Sequence, residues 1–160
     1  MSEFTHFDKN GRSRMADVTK KPMTSREALA RGTVEMKPET LRRIVDKDIT
    51  KGDVFEVARL AGIMAAKKTS GLIPLCHPLP ITSIEISFKP INEKTIRIDA
   101  LVKTVERTGI EMEALTAVCV SALTIYDMCK AIDRGMTIQK VELVRKSGGK
   151  SGLFIKEETK

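Results

Sequence analysis

Ile81-Thr82-Ser83-Ile84-Glu85-Ile86-Ser87-Phe88-Lys89-Pro90-Ile91-Asn92-Glu93-Lys94-Thr95-Ile96-Arg97-Ile98-Asp99-Ala100-Leu101-Val102-Lys103-Thr104-Val105-Glu106 contains two runs in which apolar and polar residues alternate. In the run from Ile81 to Phe88, Ile84, Ile86 and Phe88 point one way while Ser83, Glu85 and Ser87 point the other. From Thr95 to Glu106 the apolar row is Ile96, Ile98, Ala100 and Val102. A period of two marks a strand with one buried face. Asn92-Glu93-Lys94 turns the first run into the second as a hairpin. A sheet with one apolar face must be covered, so the flanking sequence has to supply helices.

It does so on both sides. Glu111 to about Arg134 reads as the longest helix, with Leu115, Val118, Cys119, Ala122, Leu123 and Tyr126 at helical spacing. Glutamates stand at its start, Lys and Arg near its end, and Gly135 as its stop. Thr137 to Val144 is then a last strand. Upstream, Ser25 to Met36 reads as a strand, and Lys37-Pro38-Glu39-Thr40 opens a short helix to about Asp46 with proline in its first turn. Asp53 starts a longer helix that ends near Lys67-Lys68. Its Ala58, Ala61, Gly62, Ala65 and Ala66 are small enough for another backbone to approach closely. The order predicts an α+β fold: a ferredoxin-like antiparallel sheet with helices packed on one face and one additional short helix.

A chain of 160 residues, 41% hydrophobic, can bury one core. The expected division is a flexible polar arm over 1–23, a single catalytic domain over 24–146, and a mobile Gly/Lys-rich tail over 147–160. No apolar run reaches the roughly 18 to 20 residues of a membrane span and the N-terminus is polar, so no membrane partner and a cytoplasmic location are expected. Three cysteines make no disulfide framework, and Cys119 and Cys129 read as small core residues.

The net charge of +7 asks for an anionic partner. The 28 Lys and Arg are interspersed with 21 acidic residues, and one Tyr with five Phe offers little to stack on bases, which argues against nucleic acid. A basic nucleic-acid module of the same fold would also leave Cys76-His77 and the acidic start of the long helix unused. A compact anion such as a nucleoside triphosphate suits the charge better. Asp8-Lys9-Asn10-Gly11 lacks the remaining ligands of a calcium loop. Gly149-Lys150-Ser151 mimics the end of a P-loop, but the earlier glycine position holds Val144. Zinc spacing, an iron–sulfur cysteine set and a dinucleotide fingerprint are all lacking, so no metal site is expected.

Ile73-Pro74-Leu75-Cys76-His77-Pro78-Leu79 is the peptide that most resembles a site. Each proline pushes its preceding residue out of helical geometry, so Ile73 and His77 are expected to be extended. The imidazole suits proton transfer or hydrogen bonding to a polar ligand, while a structural histidine at a strand start fits equally well. Asp127 and Lys130, three apart, read first as a helix-surface ion pair.

Several longer peptides carry a resemblance. Lys51-Gly52-Asp53-Val54, Ala58-Arg59-Leu60-Ala61-Gly62-Ile63-Met64-Ala65-Ala66-Lys67-Lys68-Thr69 and the Pro-Leu-Cys-His-Pro segment are followed by Arg107-Thr108-Gly109-Ile110-Glu111-Met112-Glu113-Ala114-Leu115-Thr116-Ala117. Leu123-Thr124-Ile125-Tyr126-Asp127-Met128-Cys129-Lys130-Ala131 and Lys146-Ser147-Gly148-Gly149-Lys150-Ser151-Gly152 complete the series. In this order, from His6 to Gly152, the chain resembles the MoaC family of cyclic pyranopterin monophosphate synthases. The resemblance implies a lyase of molybdenum cofactor biosynthesis. Its substrate would be 3′,8-cyclo-7,8-dihydro-GTP supplied by an upstream radical enzyme, and its products cyclic pyranopterin monophosphate and pyrophosphate. No cofactor is implied, and whether Mg2+ accompanies the triphosphate stays open. The catalytic residues it implies are Asp127, Lys51 and Lys130. The substrate contacts it implies are Leu75, Cys76, His77, Glu111, Met112, Glu113, Lys67 and Lys146. It further implies a homo-oligomer, a hexamer built as a trimer of dimers with shared sites.

Helix geometry points to shared sites independently. On one continuous helix, Glu113 and Asp127 would stand about 21 Å apart, too far for one compact site within a single chain. Two subunits related by a twofold, one giving the Glu113 end and the other the Asp127 end, resolve this.

Overall fold

The computed structural model describes residues 6–157. Nine elements follow one another: β1 (Thr24–Glu35), α1 (Pro38–Val45), α2 (Val54–Ala66), α3 (Thr69–Leu72), β2 (Ser83–Pro90), β3 (Thr95–Glu106), α4 (Glu111–Cys129), β4 (Thr137–Ser147) and β5 (Phe154–Ile155). The strands form one sheet in the order β2-β3-β1-β4-β5, each neighbour antiparallel. The first four are the split β-α-β arrangement that the alternation and element order predict.

The register explains how the helices approach. Ala28 lies opposite Val102, Ala30 opposite Ala100 and Gly32 opposite Ile98, which sets small side chains along the middle of the covered face. A Cβ at Gly32 would come within 2.6 Å of Val118 Cγ1, so α4 rests directly on β1 there. Gly62 does the same between helices: its Cβ would meet Ser121 Oγ at 2.3 Å and Ile86 Cδ1 at 2.6 Å. At this crossing the Ser121 hydroxyl donates to Ala58 O over 3.1 Å, satisfying the buried oxygen within the core. Ala114, Ala117, Val118, Ala122 and Ile125 line the buried side of α4. This helix has the length and apolar composition of a membrane span, but half of it is buried inside the domain, where it is the core helix.

Three readings need correcting. α4 ends at Cys129 rather than near Arg134, because the chain turns there to bury Asp133, whose amide donates to Cys129 O at 3.0 Å. Gly135 therefore stops a turn and not the helix. Cys129 is buried as expected, whereas Cys119 is exposed on α4. The sequence shows no signal for α3, nor for β5, where Phe154 pairs with Lys146 and Ile155 with Arg145. In the N-terminal arm Phe7 bridges Ser13 around a turn in which Asp8 Oδ1 accepts the amides of Asn10 and Arg12.

Candidate active site

The Pro-flanked segment leaves α3 and runs along the first turn of α4. Between them lies a cavity of about 500 Å3 lined by Ile73 to His77, Leu79, Thr108, Gly109, Glu111, Met112 and Glu113. Its remaining wall is the N-terminal arm, through His6, Ala16, Val18 and Lys21. Arg107 Nη1 donates to Thr19 O at 2.8 Å, which ties the arm beside the cavity. Gly109 lies directly under the Glu111 carboxyl, which a Cβ there would displace.

Glu113 is 4% exposed, and its carboxyl is pushed up to about 7, chiefly by burial and further by the neighbouring Glu111. A carboxyl titrating near neutrality can both give and take a proton under physiological conditions. Burial, reinforced by the charge of Glu113, also pushes the Cys76 thiol up. A thiol shifted that way stays protonated at neutral pH, so Cys76 contributes a neutral wall rather than a nucleophile.

A second cluster lies at the far end of α4. Lys130 Nζ donates to Asp127 Oδ1 at 2.6 Å, and Lys51 Nζ donates to the main-chain oxygen of Asp127 at 3.0 Å. Asp127 stands in solvent, its side chain 63% exposed. Its carboxyl is held below the ordinary range first by the hydrogen bond and charge of Lys130, then by Lys51. Lys130 is raised in return by Asp127. Lys51 arrives from the loop before Asp53, which caps α2 by accepting the amides of Phe55 and Glu56.

Of the residues the sequence singles out, six therefore share the cavity: Leu75, Cys76, His77, Glu111, Met112 and Glu113. Lys51, Asp127 and Lys130 share the other cluster. Lys67 joins neither; it lines a shallower cleft with Ile63 and Ile81 to Ile84, which touches the main cavity through Leu79. Lys146 lies on β4, its ammonium hydrogen bonded to the Ser151 hydroxyl. The arm residues and Thr108 were missed as site residues, and the only signal for the arm was that the family resemblance begins at His6. Among the described residues no three His, Cys, Asp or Glu side chains group as metal ligands.

The model of the MoaC family matches residues 15–149, which is most of the chain and includes both clusters. The chain belongs to the MoaC family. Curated members resemble it over nearly their whole length. The cyclic pyranopterin monophosphate synthase of Thermomicrobium roseum is 55% identical over 99% of this chain and 96% of its own. The enzyme of that name from Magnetococcus marinus is 59% identical over 98% and 97%, and that of Thermoanaerobacter pseudethanolicus 60% over 96% and 98%. As a MoaC-family member at this level of identity, the chain is an enzyme with cyclic pyranopterin monophosphate synthase activity, a lyase step of molybdenum cofactor biosynthesis.

Proposed function

We propose that the chain converts 3′,8-cyclo-7,8-dihydro-GTP to cyclic pyranopterin monophosphate and pyrophosphate at a site shared by two subunits. One subunit gives the cavity with Cys76, His77, Met112 and Glu113; its partner gives Lys51, Asp127 and Lys130. The observation that carries this reading is the position of the two clusters at opposite ends of one unbroken helix, Glu111–Cys129. Neither cluster is complete alone. The cavity places a buried carboxyl and an imidazole around a space of nucleotide size but has few cations for a triphosphate. The other cluster has two ammonium groups and a carboxylate, all open to solvent.

The chemistry divides along the same line. Reorganising a purine-derived ring into a pterin moves protons at nitrogen and oxygen, work for Glu113, which titrates near neutrality, and for Asp127 once substrate draws its lysines away. Closing the cyclic phosphate sends a sugar hydroxyl to the α-phosphorus while pyrophosphate departs, and Lys51 and Lys130 neutralise the leaving charge. Leu75, Cys76, His77, Glu111 and Met112 orient the base and sugar. Lys67 and Lys146 flank the phosphate end. Residues 24–146 are the catalytic domain, flanked by the N-terminal arm and the C-terminal tail, and the dimers assemble into hexamers in the cytoplasm, fed by a radical enzyme upstream.

The test is incubation with the cyclic dihydro-GTP intermediate while pyrophosphate is measured. Wild type should release it; Asp127→Asn and Lys51→Ala should each lose at least about a hundredfold in kcat, as expected when a group acting in the transition state is removed. Unchanged release by both variants would refute the assignment.

A further inference from the structure

Asp133 is one of two buried carboxylates among the described residues, at 2% exposure, and the site chemistry above makes no use of it. Its oxygens are fully engaged. Oδ2 accepts the amide of Lys37 at 2.8 Å and the hydroxyl of Thr40 at 3.3 Å, while Oδ1 accepts the amide of Gly135 at 3.1 Å. Burial alone would push this carboxyl up, but these donors outweigh it and hold the group below the ordinary carboxylate range. Lys37 is the N-cap of α1 and its own side chain caps nothing. In a capping box the side chain at the third helical position would accept the Lys37 amide locally, but that residue, Thr40, itself donates to Asp133. The fold instead takes the acceptor from a residue 96 positions away. That choice makes the placement of two distant segments depend on one side chain.

Those segments are the ones that carry the lysine cluster. Asp133 follows Lys130 by three residues in a tight turn, where both Ile132 and Asp133 donate to Cys129 O and Lys130 donates to Tyr126 O. At the other side of the clamp, α1 leads into the loop that presents Lys51. Asp48 donates to Arg43 O, Gly52 donates to Ile49 O, and Ile49 is buried, so the loop is anchored to the helix end and the core. Lys51 then closes the circuit on Asp127.

We propose that Asp133 is a positioning residue for catalysis, clamping the turn that bears Lys130 to the helix whose far end delivers Lys51. The inference rests on the reading of Lys51, Asp127 and Lys130 as catalytic groups. In Asp133→Asn the amide keeps the shape, but its NH2 must face either the Lys37 and Thr40 donors or the Gly135 amide, so one side of the clamp opens. The cluster then loosens while the Glu113 cavity is untouched. Misplacement of a catalytic group by about 1 Å costs up to about a hundredfold in rate.

Single-turnover pyrophosphate release from the cyclic dihydro-GTP intermediate separates positioning from simple loss of folded enzyme. Positioning lowers the rate constant; partial unfolding lowers the amplitude and leaves the rate constant alone. Asp133→Asn should show a rate constant reduced about tenfold or more with full amplitude, and substrate affinity changed by less than about threefold. Thr40→Val, which removes one donor and keeps the carboxylate, should move the rate constant the same way by a smaller factor. A wild-type rate constant in folded Asp133→Asn overturns the proposal, as does a loss confined to amplitude; if Asp133→Asn does not fold, Thr40→Val decides by the same criterion. Asp127→Asn and Lys51→Ala run alongside: should they turn over normally, the cluster reading fails, whereas their loss beside an intact Asp133→Asn rate removes the clamp alone.

Discussion

Glu113 combines near-complete burial with a carboxyl raised from 4.5 to about 7, chiefly by desolvation. An unfolded chain would release that proton near 4.5. Between the two values the folded protein holds the proton more tightly, so the stability present below pH 4.5 is lost as pH rises through about 7. Above that, the folded state carries a penalty on the order of 3 kcal/mol, the shift expressed as free energy. Glu113→Gln keeps the shape and removes the charge. It should therefore be more stable than wild type at pH 8, by on the order of 1 to 3 kcal/mol, with the difference vanishing near pH 4.5. Urea denaturation at the two pH values reads this directly, and an equal difference at both would mean that the carboxyl is not the source. The same variant should lose turnover, since a buried carboxyl brought to titrate near neutrality at a cost in stability is expected where a proton must move.

At the scale of elements, α2 and α4 meet through Gly62. Alanine there would gain up to about 1 kcal/mol of helix propensity. Against this, its Cβ would stand 2.9 Å from Ala117 O, a backbone atom that cannot rotate away, besides the Ser121 and Ile86 side chains. Overpacking of that kind costs about 1 to 3 kcal/mol. Gly62→Ala should lose up to about 2 kcal/mol in thermal or urea unfolding, the balance of those two effects, and a stabilised variant would show that the helices can slide apart. Such small-residue spacing is local and repeated, which is why α2, like the alternating hairpin, was legible: β3 runs from Thr95 to Glu106 as read. The end of α4 was not. Lys130-Ala131-Ile132-Asp133-Arg134 has an ordinary helical composition, and what turns the chain is the pull of Lys37 and Thr40 on Asp133, partners more than 90 residues away. β5 is two residues long and has no period to read. The cavity wall at 73–79 announced itself through its prolines and His77. The arm did not, because its polar composition looks unstructured and the contact that ties it down joins an arginine to a backbone carbonyl 88 residues away.

For the whole molecule, the proposed shared site requires a second copy to bring opposite ends of α4 together. Both helices over the sheet present apolar residues to solvent in the single chain. Val57, Leu60 and Met64 recur along α2 at spacings of three and four, and Cys119 and Leu123 lie one turn apart on α4. On the proposed reading a second copy would cover this unpartnered apolar face, and a twofold would set each Glu113 cavity against the partner's lysine cluster. This arrangement predicts complementation with a defined yield. Glu113→Ala and Asp127→Ala are each expected to be inactive as pure proteins. Upon random exchange half of the dimers are mixed, and in each mixed dimer one site carries both defects while the other carries neither. Activity should therefore return to roughly a quarter of wild type. If each site were built within one chain, every site in the mixture would still carry one defect. No recovery in a sample whose exchange is verified by mass spectrometry of differently labelled subunits would thus place the complete site inside a single subunit.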